Sequence, residues 1–178
     1  MNSSSLVLNK IKDKYRAAVI TKMALPVIYA TAFKLMKETI NELRPDAVVC
    51  MGQAGGRSKV CIERIAVNIN NSTVADNNGE VKTDSLIIPF GAAAYFSSLP
   101  YKKMLAASGG NTVLSYSAGT YICNDIFYRL MNYIKTEDMR MSGGFLHLPF
   151  TEHFDKMPYM DLETQVCVVQ SMLAVMGD

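Results

Sequence analysis

Apolar residues recur at helical spacing in two stretches of the chain. Phe33, Met36, Ile40 and Leu43 follow one another at intervals of three and four residues. This spacing predicts an amphipathic helix over residues 29–43 that ends before Pro45, because the residue before a proline disfavours the helical conformation.

A second helix is predicted at the end of the chain. Asp161 is a suitable N-cap for it. Its apolar positions again have helical spacing: Leu162, Val166, Val169, Leu173 and Met176.

Short apolar runs between these helices predict buried strands. They cover residues 47–51, 62–69, 85–88, 112–116 and 144–148. The run Asp76-Asn77-Asn78-Gly79 is typical of a turn, and a further helix is predicted to follow the fourth strand and extend to about residue 134. Alternation of this kind predicts one α/β domain over residues 1–178, an α/β/α sandwich around a mostly parallel, twisted sheet.

Composition is that of a globular domain and excludes several functional classes. The chain has 178 residues, of which 49% are hydrophobic, and a net charge of +2. Lys and Arg are scattered, so nucleic acid is not an expected partner. The first ten residues lack the apolar core of a signal peptide and no segment is long enough to span a membrane, so a cytoplasmic location is expected.

The four cysteines are Cys50, Cys61, Cys123 and Cys167, and their spacing does not match a zinc site or a redox pair. Cys123 differs from the others because it follows a turn of small residues at the start of a predicted helix. The amides and dipole of a helix start stabilise negative charge, so the pKa of a thiol there is expected to fall from about 8.5 toward neutrality. Cys123 is therefore a candidate nucleophile.

A nucleophilic thiol also needs a base. Of the two histidines, His153 lies in a polar loop, whereas His147 lies late in the predicted strand 144–148, where packing would orient its ring. Glu63 is bracketed by apolar residues and could fix the tautomer of an imidazole. Each residue alone also has a simpler interpretation as a core cysteine, a core histidine or half of an ion pair.

Several ordered blocks of sequence together resemble the pyroglutamyl peptidase I family, also called pyrrolidone-carboxylate peptidase. The resemblance runs from about Ala18 to the C-terminus. The most specific blocks are Gly52-Gln53-Ala54-Gly55-Gly56-Arg57, Glu63-Arg64-Ile65-Ala66-Val67-Asn68, Asp76-Asn77-Asn78-Gly79, Ser117-Ala118-Gly119-Thr120-Tyr121-Ile122-Cys123-Asn124 and Gly144-Phe145-Leu146-His147-Leu148-Pro149.

This resemblance implies a cysteine peptidase that removes N-terminal pyroglutamate from peptides, with Glu63, Cys123 and His147 at the catalytic positions. It further implies that Gln53 contributes to recognition and that Arg57 lies near the developing oxyanion. No metal or organic cofactor is expected, the expected partners are pyroglutamyl peptides, and family members commonly form homotetramers.

The chain departs from the family in its first 17 residues. Members open with a strand inside the sheet and a Phe-x-Pro-Phe-Gly-Gly-like loop that holds the pyroglutamyl ring, and this sequence contains no such loop. Leu6-Val7-Leu8 is at best a partial replacement for the strand. Two hypotheses therefore stand: a peptidase with a complete catalytic set, or a truncated or non-catalytic relative that acts as a binding or structural protein.

Overall fold

Helices and strands alternate along the chain in a computed structural model that describes residues 2–15 and 18–176. The helices are α1 Ser3–Lys10, α2 Thr31–Leu43, α3 Tyr101–Ala107, α4 Ile122–Thr136 and α5 Leu162–Ala174, with a 3-10 turn at Glu152–Phe154. The strands are β1 Lys14–Tyr15, β2 Ala18–Val19, β3 Ala47–Gln53, β4 Val60–Glu63, β5 Ile65–Val67, β6 Ala94–Phe96, β7 Thr112–Ser115 and β8 Ser142–Leu148.

Four of the strands form the central sheet, in the order β3-β8-β4-β7. β3 runs parallel to β8, and β4 runs parallel to β7. The central pair, β4 and β8, is antiparallel. The sheet is therefore mixed but mostly parallel, as predicted. Two further pairs, β1 with β2 and β5 with β6, are separate antiparallel ribbons.

Helices cover both faces of this sheet, which confirms the predicted α/β/α arrangement. One face packs against α2 and α4 through a cluster that includes Met36, Ile40 and the fully buried Phe127. The other face packs against α1, α3 and α5 through a cluster that includes Met104 and Val169. A strand covered on both faces is expected to be buried along its length, and β8 is buried from Gly143 to Leu148.

The boundaries of most predicted elements are confirmed to within a few residues. α2 begins at Thr31 and ends at Leu43, where Arg44 takes a left-handed conformation before Pro45. α5 begins after Asp161, whose side chain accepts a hydrogen bond from the Thr164 amide at 2.8 Å. These are the signals from which both helices were predicted.

The predicted strand over residues 62–69 is wrong as one element, because the chain changes sheets at Arg64. The Arg64 amide donates to Ser115 of the central sheet, whereas its carbonyl accepts from Ser97 after β6. β4 and β5 therefore lie on either side of this residue and belong to different sheets.

The predicted strand over residues 85–88 is also wrong. Ser85 makes one isolated bridge with Asn70. The Asn68 side chain then binds both backbone groups of Ile88, accepting from its amide at 2.9 Å and donating to its carbonyl at 2.8 Å. A side chain thus replaces the neighbouring strand that the pattern implied.

Leu6-Val7-Leu8 lies in α1 and does not form a strand. Asn2 and Ser5 make a reciprocal capping box, in which the Asn2 side chain accepts from the Ser5 amide and the Ser5 side chain accepts from the Asn2 amide. This cap starts a helix ahead of the apolar run.

β3 consequently forms one edge of the central sheet. Asp46 and Ala54 bond to β8, so by the alternation of a parallel ladder the backbone groups of Val49 and Met51 point away from β8. Among residues 2–15 and 18–176 those groups have no hydrogen-bond partner.

Over the same residues, no helix combines the length and apolar character needed to cross a bilayer.

Asn124 ties the start of α4 to β5 and is fully buried. Its side chain accepts from the Val67 amide at 3.0 Å and donates to the carbonyls of Val67 and Ile69 at 2.9 and 3.0 Å. Asn124→Ala leaves these buried groups unpaired, so we expect the free energy of unfolding in urea to fall by about 2–3 kcal/mol.

The matched control is Asn78→Ala. Asn78 is exposed, and its side chain makes no hydrogen bond with any residue that the structure describes. We expect this variant to lie within about 0.5 kcal/mol of the wild type. Equal losses in the two variants would contradict the anchoring role of Asn124.

Candidate active site

A buried carboxylate and an imidazole form the centre of the candidate site. His147 Nδ1 lies 2.7 Å from Glu63 Oε1, and the Glu63 side chain has no exposed surface. An ionised carboxylate can only accept a hydrogen bond, so Nδ1 carries the ring proton and donates the hydrogen bond to Oε1. Nε2 of the neutral ring is then unprotonated and able to act as a base.

Sheet register brings these two side chains together from residues 84 positions apart. In the antiparallel pair of β4 and β8, Glu63 lies opposite Phe145 and Cys61 lies opposite His147. Opposed residues share a face of the sheet, so Glu63 and His147 are diagonal neighbours on one face. The Phe145 ring packs beside the imidazole with a centroid separation of 4.8 Å.

Cys123 reaches the same face from the start of α4. It is the second residue of the helix, and the N-cap residue Tyr121 makes no capping hydrogen bond through its side chain. A methyl group built on Gly52 would lie 2.9 Å from Cys123 Sγ and 2.9 Å from the Phe145 ring. Because Gly52 is paired with His147 in the β3–β8 register, the thiol lies over the strand pair that carries the imidazole.

The thiol is protonated in this resting arrangement. Burial raises the pKa of Cys123 to about 11, and the negative charge of Glu63 adds to the rise. A hydrogen bond from the Cys123 amide works in the opposite direction but is the smallest of the three effects. The predicted fall toward neutrality is therefore wrong for the resting thiol, because desolvation outweighs the helix start.

Arg57 lies beside Glu63. Its Nη2 is 3.3 Å from Glu63 Oε1, the same oxygen that receives His147 Nδ1, and it donates to the Ser117 carbonyl at 3.4 Å. Glu63 Oε2 is buried and has no hydrogen-bond partner among the described residues.

Gln53 lies on the other face of the sheet. Its Oε1 accepts hydrogen bonds from the amide and hydroxyl of Ser3 at 2.8 and 3.0 Å. Because adjacent strand residues point to opposite faces, Gln53 turns toward α1 whereas Gly52 lies under the thiol. Of the five residues predicted at the site, four converge and Gln53 does not join them.

Two residues of the site were not identified from the sequence, Gly52 and Phe145. Gly52 leaves space that Cys123 Sγ and the Phe145 ring both approach, and Phe145 also packs beside His147. The period of two in β8 placed Phe145 on the face of His147 and was the available signal. His153 is exposed in the 3-10 turn, as expected.

No group of three His, Cys, Asp or Glu side chains with metal-binding geometry occurs in the part of the chain that the structure describes. The chemistry available to the site is that of a thiol, an imidazole and a carboxylate. This combination on an α/β fold defines the class of cysteine-type hydrolases.

The family follows from comparison with known proteins. A model of the pyroglutamyl peptidase family matches residues 1–176, and the chain belongs to that family. The match includes the first 17 residues, and thus extends further toward the N-terminus than the resemblance read from the sequence.

Relatives of the chain carry the name pyrrolidone-carboxylate peptidase. That of Bacillus cereus is 42% identical over 135 residues, or 74% of this chain and 62% of the relative. That of Caldanaerobacter subterraneus is 35% identical over 98% of this chain and 90% of the relative. The match thus spans less than two thirds of the first protein and most of the second.

Solved structures share this fold over nearly all of the chain. Pyroglutamyl peptidase I from Bacillus amyloliquefaciens superposes with a TM-score of 0.92 at 30% identity, covering 99% of this chain and 87% of that one. Pyrrolidone carboxyl peptidase from Pyrococcus furiosus gives a TM-score of 0.93 at 30% identity, covering 99% and 90%.

The close approach of Cys123 to Gly52 can be tested with Gly52→Ala. The added methyl group would displace the thiol and the buried Phe145 ring. We therefore expect the rate at which iodoacetamide alkylates Cys123 to change by about threefold. The overpacking should cost about 1–3 kcal/mol of stability. Both quantities can be measured on one preparation by peptide mass spectrometry and urea unfolding.

Gly79→Ala separates these two effects. Gly79 has φ +83° and nothing within 4 Å of an added methyl group, so its replacement costs about 1 kcal/mol through backbone strain alone. Cys123 alkylation should stay at the wild-type rate. A Gly52→Ala protein with unaltered alkylation would contradict the placement of the thiol.

The protonated resting thiol predicts a characteristic pH dependence. In His147→Ala, alkylation of Cys123 should rise in a single step and still be increasing at about pH 10, because the thiol then titrates with a raised pKa. The wild type should show an additional step at lower pH, because the neutral imidazole can accept the proton of the thiol. Identical profiles would show that the imidazole does not assist Cys123.

Proposed function

We propose that this chain removes N-terminal pyroglutamate from peptides, with Cys123 as nucleophile, His147 as general base and acid, and Glu63 as the group that orients the imidazole. The observation that carries the proposal is the hydrogen bond of 2.7 Å between His147 Nδ1 and the buried Glu63. Membership in the pyroglutamyl peptidase family supports the reaction and the substrate class.

The geometry favours deprotonation of the thiol only when a substrate is attacked. The pKa of Cys123 is raised to about 11, so a stable thiolate is disfavoured at neutral pH. His147 Nε2 would take the thiol proton as sulfur attacks the carbonyl that joins the lactam to the next residue. Glu63 would stabilise the imidazolium that forms, as a carboxylate does in other triads.

Charge on the carbonyl oxygen would develop at the start of α4. The amides of Ile122, Cys123 and Asn124 have no backbone acceptor among the described residues, and a helix start favours negative charge. The tetrahedral intermediate then collapses to a thioester, and the leaving amine takes the proton from His147. Water, deprotonated by the same nitrogen, hydrolyses the thioester and releases pyroglutamate.

Assembly and location belong to the same proposal. Phe90 and Phe96 are exposed aromatic side chains, with relative exposures of 105% and 66%. Exposed aromatic side chains are candidate contacts with a second copy of the chain, and the homo-oligomer itself is proposed from the family resemblance. The four cysteines are free, as expected of a cytoplasmic protein.

The test is release of a fluorogenic amine from a pyroglutamyl substrate. Cys123→Ala should abolish turnover because no thioester can form. His147→Ala and Glu63→Gln should each lower kcat/KM by about two to four orders of magnitude, because the proton transfer is lost or the imidazole is misoriented.

An alanyl substrate of the same fluorophore is the specificity control, and Cys167→Ser is the control for loss of a thiol outside the site. Cys167 is exposed on α5, so its removal should leave turnover unchanged. A folded wild-type chain without turnover would contradict the proposal and favour the non-catalytic alternative.

A further inference from the structure

One carboxylate oxygen is shared by an imidazole and a guanidinium. Glu63 Oε1 lies 2.7 Å from His147 Nδ1 and 3.3 Å from Arg57 Nη2, while the buried Oε2 has no partner among the described residues. A carboxylate without exposed surface is stable as an anion only if its charge is compensated. When His147 is neutral, the fixed positive charge available to Glu63 is that of Arg57.

We infer that Arg57 is a positioning residue that sets the proton affinity of the Glu63–His147 pair, and that it does not act by binding the oxyanion. This inference rests on the proposed function. It also revises the role near the oxyanion that the family resemblance implied for Arg57.

Arg57 is held in this orientation from two sides. Its Nη2 donates to the carbonyl of Ser117 at 3.4 Å as well as facing Glu63. Ser117 belongs to the turn between β7 and α4, so the guanidinium connects the loop after β3 with the turn that leads to Cys123. Its side chain is 28% exposed, which leaves the positive charge only partly screened.

Other groups around the pair contribute little positive charge. Cys123 approaches from α4, Cys61 lies opposite His147 on β4, and Cys50 lies on the same face of β3 as Gly52. Burial raises the pKa of Cys50 to about 12 and that of Cys123 to about 11, so both thiols are neutral.

Arg64 follows Glu63 directly but points elsewhere. Its guanidinium lies over the Tyr101 ring, 3.7 Å from the ring centroid. Among the described residues, the basic side chains within ion-pair distance of Glu63 are Arg57, which is charged, and His147, which is charged only when protonated. Arg57 and Arg64 therefore differ in whether the guanidinium contacts the Glu63 carboxylate.

The sign of the expected effect follows from electrostatics. A positive charge beside the pair disfavours a second proton on the imidazole. Removing that charge in Arg57→Gln should move the acidic limb of the activity profile to higher pH by about one unit. Arg57→Lys keeps the charge and should restore most of the wild-type position.

The experiment measures two pH profiles for wild type, Arg57→Gln, Arg57→Lys and Arg64→Gln, all in the Cys167→Ser background. One is kcat/KM for the fluorogenic pyroglutamyl substrate, and the other is the rate at which iodoacetamide alkylates Cys123. His147→Ala identifies the step in the alkylation profile that belongs to the imidazole. Arg64→Gln is the matched control, since it removes an equal charge one residue from Glu63 without touching the carboxylate.

An upward shift in Arg57→Gln, reversed in Arg57→Lys and absent in Arg64→Gln, would support the assignment. A uniform loss of kcat/KM at every pH without displacement of either profile would overturn it, as expected for an oxyanion contact or a purely structural role. An equal shift in Arg64→Gln would also overturn it, because the effect would then belong to the general field of the protein.

Failure of the proposed function would remain distinguishable. Alkylation requires no turnover, so a chain inactive on pyroglutamyl substrates would still report the proton affinity of His147 through Cys123. If the alkylation step moves as expected while turnover is absent, Arg57 has the inferred role and the peptidase assignment is wrong. If turnover is present and neither profile moves, the peptidase assignment stands and the role of Arg57 is overturned.

Discussion

The hydrogen bond between Glu63 and His147 is the interaction on which the rest of the site depends. Burying a carboxylate without exposed surface costs several kcal/mol unless its charge is compensated. The fold meets this cost by pairing β4 and β8 in antiparallel register at the centre of an otherwise parallel sheet. That single antiparallel contact brings the two side chains together and fixes the tautomer of the imidazole.

The thiol is held differently from this pair. Cys123 comes from a helix that is joined to the neighbouring ribbon through Asn124, and its sulfur occupies space left open by Gly52. The imidazole and the thiol therefore belong to different layers of the fold. Their relative position depends on how α4 packs on the sheet, and a side chain as small as alanine at position 52 would alter it.

Much of this arrangement could be predicted from the sequence, because the relevant residues lie where one periodicity gives way to another. Cys123 follows a strand pattern and opens a helical one, and His147 lies late in an apolar run that ends before Pro149. The structure confirms both positions. From residue types and spacing alone, each of the two residues could also be an ordinary core side chain. The family motifs taken together indicated that they belong to one site.

The errors arose where side chains replaced backbone partners or where burial opposed a local effect. Asn68 binds the backbone of Ile88 in place of a strand, and Arg64 sends its two backbone groups to different sheets. Neither event leaves a periodic signal. The raised pKa of Cys123 depends on the protein packed around the sulfur, which no local pattern records.

The order of strands also determines how different parts of the sheet respond to thermal fluctuation. Glu63 and His147 lie on the two inner strands, each with a neighbour on both sides, whereas β3 is hydrogen-bonded along one side. Amides at the unpaired edge, such as those of Val49 and Met51, have no strand partner to protect them from exchange with solvent, while those of the inner strands exchange only through much larger openings. Local opening at the edge of the sheet can therefore occur while the buried carboxylate and imidazole stay paired.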